Sequence, residues 1–241
     1  YGKGLYRNDS VSAASQAIAQ DVVTLIVGIP LLILGLYLSG KGSLKGKLLL
    51  TGTLGYFLYT YTSYSFLAMY NPFFLIYVIL MSASFFAFTL AMLSFDVGKL
   101  SADFGPKLPV KFIGGFSIFL GVIIALMWLG RIQPSLVSGV PPLGLEHYTT
   151  LIIQALDLGF IVPAALVAGV LVIRRKPFGY LLASVIIIKG ITLLTAISAM
   201  LIGQIRAGIK VGPAETIIFP IFNVIAIYCL VLILKNVRGR T

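Results

Sequence analysis

Val22-Val23-Thr24-Leu25-Ile26-Val27-Gly28-Ile29-Pro30-Leu31-Leu32-Ile33-Leu34-Gly35-Leu36-Tyr37-Leu38 carries no charge and no apolar/polar alternation. A membrane β-strand needs alternation over about 10 residues. Only helices and closed barrels span a bilayer, so this stretch reads as helix. With the residues before it, the run covers 11–38, beyond the roughly 20 residues that the hydrocarbon requires.

Working outward, six more runs of this kind follow, at 48–69, 73–95, 112–130, 148–173, 178–203 and 214–234. Turn chemistry separates them: Ser39-Gly40-Lys41-Gly42-Ser43, Tyr70-Asn71-Pro72 and Arg174-Arg175-Lys176-Pro177 are short connections with Gly or Pro. Longer connections are expected at 96–111, as a partly ordered loop, and at 131–147. None has room for a soluble domain. The fold class is all-α, a polytopic membrane protein with one domain over 1–241 and seven spans.

Composition agrees. Of the 241 residues 59% are hydrophobic and 10% charged, with a mean hydropathy of +1.05. Soluble domains run at about 25% charged, so a soluble enzyme, a disordered chain and a nucleic-acid module are excluded. The net charge of +11 is topological: basic residues sit at span ends. Loops after runs one, three and five, with the tail, hold Lys41, Lys45, Lys47, Lys99, Lys107, Lys111, Arg174, Arg175, Lys176, Lys235, Arg238 and Arg240. The opposite side holds Lys3, Arg7, Arg131, Arg206 and Lys210. By the positive-inside rule the N-terminus is outside, the C-terminus is cytoplasmic, and the cell membrane is the expected location. Residues 1–10 lack the apolar core of a signal peptide, and a start at Tyr1 rather than Met implies sequence upstream.

A lone cysteine, Cys229, allows no internal disulfide, and a lone histidine, His147, argues against haem or a His-rich metal site. No phosphate loop or nucleophile elbow is present, and no cofactor is indicated. Cys229 reads as packing and His147 as a solvated or interfacial loop residue.

Ionisable residues inside a span are functional candidates by default. There are three, Asp21, Asp157 and Lys189. At about 1.5 Å per residue they lie roughly 13–16 Å from the nearer face, close to one level. Neutral groups extend this layer: Gln20 and Thr24 on run one with Gln16, Tyr56 and Tyr59 on run two, Gln154 on run five, Thr192 and Thr195 on run six, Asn223 on run seven. Gln20, Asp21 and Thr24 are expected to face the bundle interior. Each also has a structural reading. Ser and Thr bond their own backbone, Asn joins helices, Asp21 could cap the apolar half of its run, and Tyr64 and Tyr70 suit an interfacial belt. Asp157 and Lys189 are expected to approach each other across helices five and six, with an axial offset of roughly 7 Å that a long side chain, a water or a ligand would close.

Seven spans and a mid-membrane lysine invite comparison with retinal-binding rhodopsins, but their lysine lies on the last helix and Lys189 is on the sixth run. The end of run three, Ser94-Phe95-Asp96-Val97, lacks the Asp-Arg-Tyr pattern of G-protein-coupled receptors. No matching pair of runs is evident that would mark an internal repeat. Three functions are open: binding or transport of a small solute, proton or ion at the polar layer; a non-catalytic subunit partnered with other membrane subunits; and an enzyme acting on a lipid or quinone. The lipid bilayer is the one certain partner, and no nucleic acid is expected.

Overall fold

The computed structural model describes residues 1–142 and 144–238. Among them the secondary structure is helical, with no strand. The helices are α1 (Val11–Gly40), α2 (Leu44–Leu67), α3 (Phe74–Leu93), α4 (Val97–Asp103), α5 (Val110–Ser138), α6 (Ile152–Ile173), α7 (Pro177–Arg206) and α8 (Pro213–Asn236). Six of them, α1, α3, α5, α6, α7 and α8, are long and apolar enough to cross a membrane, and the chain has the build of a multi-pass membrane protein.

The expected runs recur with shifted ends. Helix α5 continues to Ser138, through Pro134 and into the stretch read as loop. The ring of Pro134 removes only one rung of the helix ladder, near its end. Helix α6 starts at Ile152 rather than 148, and the connection at 96–111 contains the short α4.

Helix α2 is as long as α8 but far richer in Tyr, Thr and Ser. Its surroundings explain this, because it packs against α1, α3 and α7 together. Thr51, Thr53 and Thr60 are buried, and Thr51, Thr53 and Ser63 return their hydroxyls to the carbonyls four residues back. A helix enclosed by other helices need not match lipid on its own surface.

The backbone corrects one expectation outright: there is an internal repeat, at an offset of 133 residues over the hairpins α1–α2 and α6–α7. Helix α1 is interrupted by a π-turn at Thr24–Gly28 and α6 by one at Asp157–Ile161. Two residues beyond each turn stands a proline, Pro30 and Pro163. The helices end at Gly40 and Ile173, the next begin at Leu44 and Pro177, and the turns between them correspond residue by residue. Gly42 and Arg175 occupy the left-handed region at φ 77° and 53°. The amides of Ser43 and Lys176 donate to the carbonyls of Leu38 and Leu171. Arg175 tolerates a conformation that suits glycine while its guanidinium donates to the Pro106 carbonyl at 3.2 Å.

Packing follows the same symmetry. α1 packs on α2 as α6 does on α7, and α2 on α3 as α7 does on α8. α1 packs on α7 as α6 does, more sparsely, on α2, while α2 and α7 cross each other at the centre. The N-terminal ends of α1 and α6 lie together, since Ser10 N–H donates to the Tyr148 hydroxyl at 3.2 Å. The two triplets α1–α3 and α6–α8 therefore point the same way around an axis running along the helices, and α5 joins them and packs on α6. Sequence comparison missed this because the triplets share little besides common leucines, Pro30/Pro163, Gly46/Gly179, Thr62/Thr195 and Ser65/Ser198.

Those glycines set how closely each hairpin closes. A Cβ on Gly46 would overlap Leu38, and one on Gly179 would overlap the backbone of Leu171 and Val172. A Cβ on Gly115 would meet nothing within 4 Å. Gly46→Ala and Gly179→Ala should each destabilise the detergent-solubilised protein by about 1–3 kcal/mol, the usual cost of overpacking, whereas Gly115→Ala should not. Thermal unfolding of the three variants checks this, and tolerance of both Gly46→Ala and Gly179→Ala would refute the close hairpin contact.

Candidate functional site

The repeat places polar pairs at equivalent positions. In the first triplet Thr24, at the start of the π-turn, shares a hydrogen bond of 2.8 Å with the hydroxyl of Tyr56 on α2. One turn away Gln20 donates to Thr60 Oγ1 at 2.8 Å. Adding 133 to Thr24 and Tyr56 gives Asp157 and Lys189. A neutral pair in one triplet is thus an ionisable pair in the other.

Asp157 is 8% exposed, and both of its oxygens are engaged. Tyr59 donates its hydroxyl to Oδ1 at 2.7 Å, and the indole Nε1–H of Trp128 donates to Oδ2 at 2.8 Å. Hydrogen bonds to a carboxylate are among the stronger ones, and a buried carboxylate needs them. Trp128, on α5, is the chain's single tryptophan. Sequence reasoning passed over it, although a lone indole N–H inside a span has to find an acceptor.

Lys189 is 5% exposed and its Nζ has no hydrogen-bond partner. The ammonium stands over the ring of Tyr59, 4.0 Å from its centroid, a cation–π contact. Its stem lies beside Gly55 on α2, where an added Cβ would make ordinary contact with Lys189 Cβ and Cγ at 3.8 Å. The expected approach of Asp157 and Lys189 is realised only as a shared neighbourhood. No nitrogen–oxygen contact within 4.0 Å joins them. Tyr59 lies between, with its hydroxyl on the carboxylate and its face under the ammonium.

The remaining candidates separate. Thr192 returns its hydroxyl to the carbonyls of Lys189 and Ile188, as its structural reading has it. Asn223 donates to Thr195 Oγ1 at 2.9 Å and so ties α8 to α7, while its own Oδ1 is buried without a partner. Gln154 is buried three residues before Asp157. Asp21 is half-buried rather than part of the Asp157 cluster. It accepts from Tyr6 at 2.8 Å and from Tyr64 at 2.9 Å. Tyr64 is therefore not a belt residue: it is 8% exposed and packs edge-on against Tyr77. Tyr70, by contrast, is exposed.

The N-terminal segment closes this end. Tyr6 is buried, with its phenol pushed upward in pKa by burial and then by its neighbours Tyr77 and Asp21. Asp9 Oδ1 accepts from the amide of Met69 and from the hydroxyl of Tyr148 at 3.0 Å. Burial lifts the Tyr148 phenol to about 12, so it remains a donor at neutral pH. At the opposite end an apolar core of Leu48, Leu181, Ile187 and Ile188 with α4 and Phe104 fills the bundle. Two open concavities among the described residues lie away from this layer. One is on the apolar flank at Phe112, Gly115 and Ile225, and the other is beside Arg175, Tyr180 and Arg238. The polar layer is enclosed.

No protein-family model matches the chain, and no curated protein or solved structure is significantly similar to it.

Because Tyr59, and not Lys189, holds Asp157, the energetic couplings should differ. Tyr59→Phe is expected to cost about 1–3 kcal/mol, the penalty for a buried acceptor losing a donor. Thermal unfolding in two double-mutant cycles checks this. Asp157→Asn with Tyr59→Phe should be strongly non-additive and Asp157→Asn with Lys189→Met clearly less so, since that pair is linked only through Tyr59 and the field between the two charges; the reverse order would mean a direct charge pair.

Proposed function

We propose that the chain is a seven-span transporter for a small solute or ion, with its N-terminus outside the cell membrane, its C-terminus in the cytoplasm, and α2 as the seventh span. At 24 residues α2 extends about 36 Å, enough to cross the hydrocarbon. The twelve-to-five distribution of Lys and Arg supports the orientation.

One observation carries the reading. Both triplets interrupt an α-ladder with a π-turn at the same level, and each interruption begins at a member of a polar pair, Thr24 with Tyr56 and Asp157 beside Lys189. Single π-turns inside helices occur mostly at functional sites. Transporters built from repeats hold their substrates near the midplane, between the repeats and at broken helices. Burying an ammonium and a carboxylate there costs several kcal/mol, a cost that a packing role alone does not require. In this reading the enclosed layer is an occluded state. Pro30 and Pro163 mark where the outer parts of α1 and α6 would tilt. A non-catalytic subunit of a larger membrane complex is the competing reading, and the enclosure of Lys189 is what favours it.

Thiol access distinguishes the two. In vesicles, after Cys229→Ser, single cysteines at Gln20, Thr60 and Gln154 should react with a small membrane-impermeant reagent, and the rate should change when a pH or sodium gradient is imposed. A C-terminal reporter should be cytoplasmic. Cysteines that stay unreactive from both sides in every gradient would favour the subunit.

A further inference from the structure

We propose that Lys189 is the binding site of a small monovalent anion, a halide or a one-carbon carboxylate, held between α2, α6 and α7. The assignment rests on the transport reading of the layer and names the kind of ligand it would take.

The argument begins from unequal satisfaction. Asp157 has two strong donors of its own, Tyr59 and Trp128. Lys189 has three N–H bonds and, among the described residues, no acceptor for any of them. Its nearest support is the Tyr59 ring face at 4.0 Å. A cation–π contact returns far less than a buried ammonium loses on leaving water.

A structural lysine would resolve this by reaching the carboxylate. The side chain is long and Asp157 is close by, yet Tyr59 stands between them and takes the carboxylate for itself. The hydroxyl of Thr192, one turn along α7, is directed to the backbone carbonyl of Lys189 and so is not an acceptor turned toward the ammonium. What the site lacks is an acceptor, and in low dielectric the acceptor that answers a full positive charge is an anion.

The neighbourhood also restricts its size. The stem of Lys189 lies against Gly55, and Phe88 comes within 3.4 Å of a Cβ built on that glycine. With Lys189 buried and its ammonium 4.0 Å from the Tyr59 ring centroid, a compact ion needs smaller shifts to reach it than a large organic anion. The triplet symmetry makes the site singular: the position equivalent to Lys189 is Tyr56, whose hydroxyl is already bonded to Thr24. One charged half-site and one neutral half-site would give one anion per chain.

The test measures thermal unfolding of the full-length detergent-solubilised protein at constant ionic strength, with sodium gluconate replaced stepwise by sodium chloride or sodium formate. A ligand of the folded state raises the midpoint by mass action. The expected result is a saturable rise of several degrees with chloride, formate or both, retained in Lys111→Gln and lost in Lys189→Met. A response to chloride alone assigns a halide, and one to formate alone assigns a carboxylate. If Lys189→Met does not fold, Lys189→Arg serves instead, and it should keep the response with an altered chloride-to-formate preference. Equal midpoints in all three salts for the wild type would overturn the proposal, as would an unchanged response in Lys189→Met. The two levels fail separately. Anion binding without gradient-dependent thiol access removes transport and leaves the site; thiol access without anion dependence removes the anion.

Discussion

A polar group that leaves water for the interior of a membrane bundle must find its partner in the protein. Most of this chain's inward polar side chains obey that rule within their own neighbourhood. Thr24 has Tyr56, Gln20 has Thr60, Asp157 has Tyr59 and Trp128, and Asp21 has Tyr6 and Tyr64. The arrangement of the central helices follows from serving these groups. Helix α2 supplies Tyr56, Tyr59, Thr60 and Tyr64, and it can be so polar only because α1, α3 and α7 surround it. Asp9 Oδ2, Ser65 Oγ and Asn223 Oδ1 are buried without a partner, and the charged exception at the central level is Lys189, whose ammonium has no acceptor among the described residues.

The duplicated architecture turns that exception into a contrast between two nearly identical scaffolds. The hairpins α1–α2 and α6–α7 share their π-turns, prolines, loop conformation and glycine contacts. Thr24 and Asp157, and Tyr56 and Lys189, therefore hold matching places along the two hairpins, and one pair is neutral where the other is charged. The neutral pair closes on itself at 2.8 Å. The charged pair does not close, because Tyr59, for which the other triplet offers Thr192, intervenes. The two halves of the bundle are thus equivalent in form and unequal in charge.

The helical fold was legible in the sequence because lipid leaves few alternatives, and a run such as Val22 to Leu38 does not alternate. Span ends were less legible. Proline in a helix interior favours a break, yet α5 runs through Pro134 to Ser138. The repeat was not legible at all, since packing against lipid and neighbouring helices requires apolar side chains of almost any kind, and only Pro30/Pro163 and Gly46/Gly179 have to match. Of the candidate site, the level of Asp157 and Lys189 followed from counting residues. Tyr59 as the group between them did not, because counting along single helices says nothing about which side chain of a third helix enters the gap. Trp128 and the burial of Tyr6 and Tyr64 likewise depend on how α5 and the N-terminal segment fold against the bundle. Asp21 shows the same limit: its two tyrosine donors, Tyr6 and Tyr64, hold it in a cluster of its own toward the N-terminal end.

The account depends on Lys189 remaining unpaired with Asp157 in the folded bundle. A high-resolution density map of the purified protein in chloride-containing buffer tests this most directly. It should show Tyr59 on the Asp157 carboxylate and a non-protein feature within hydrogen-bonding distance of Lys189 Nζ. A direct Lys189–Asp157 contact, with Tyr59 displaced and no further density at the ammonium, would contradict it.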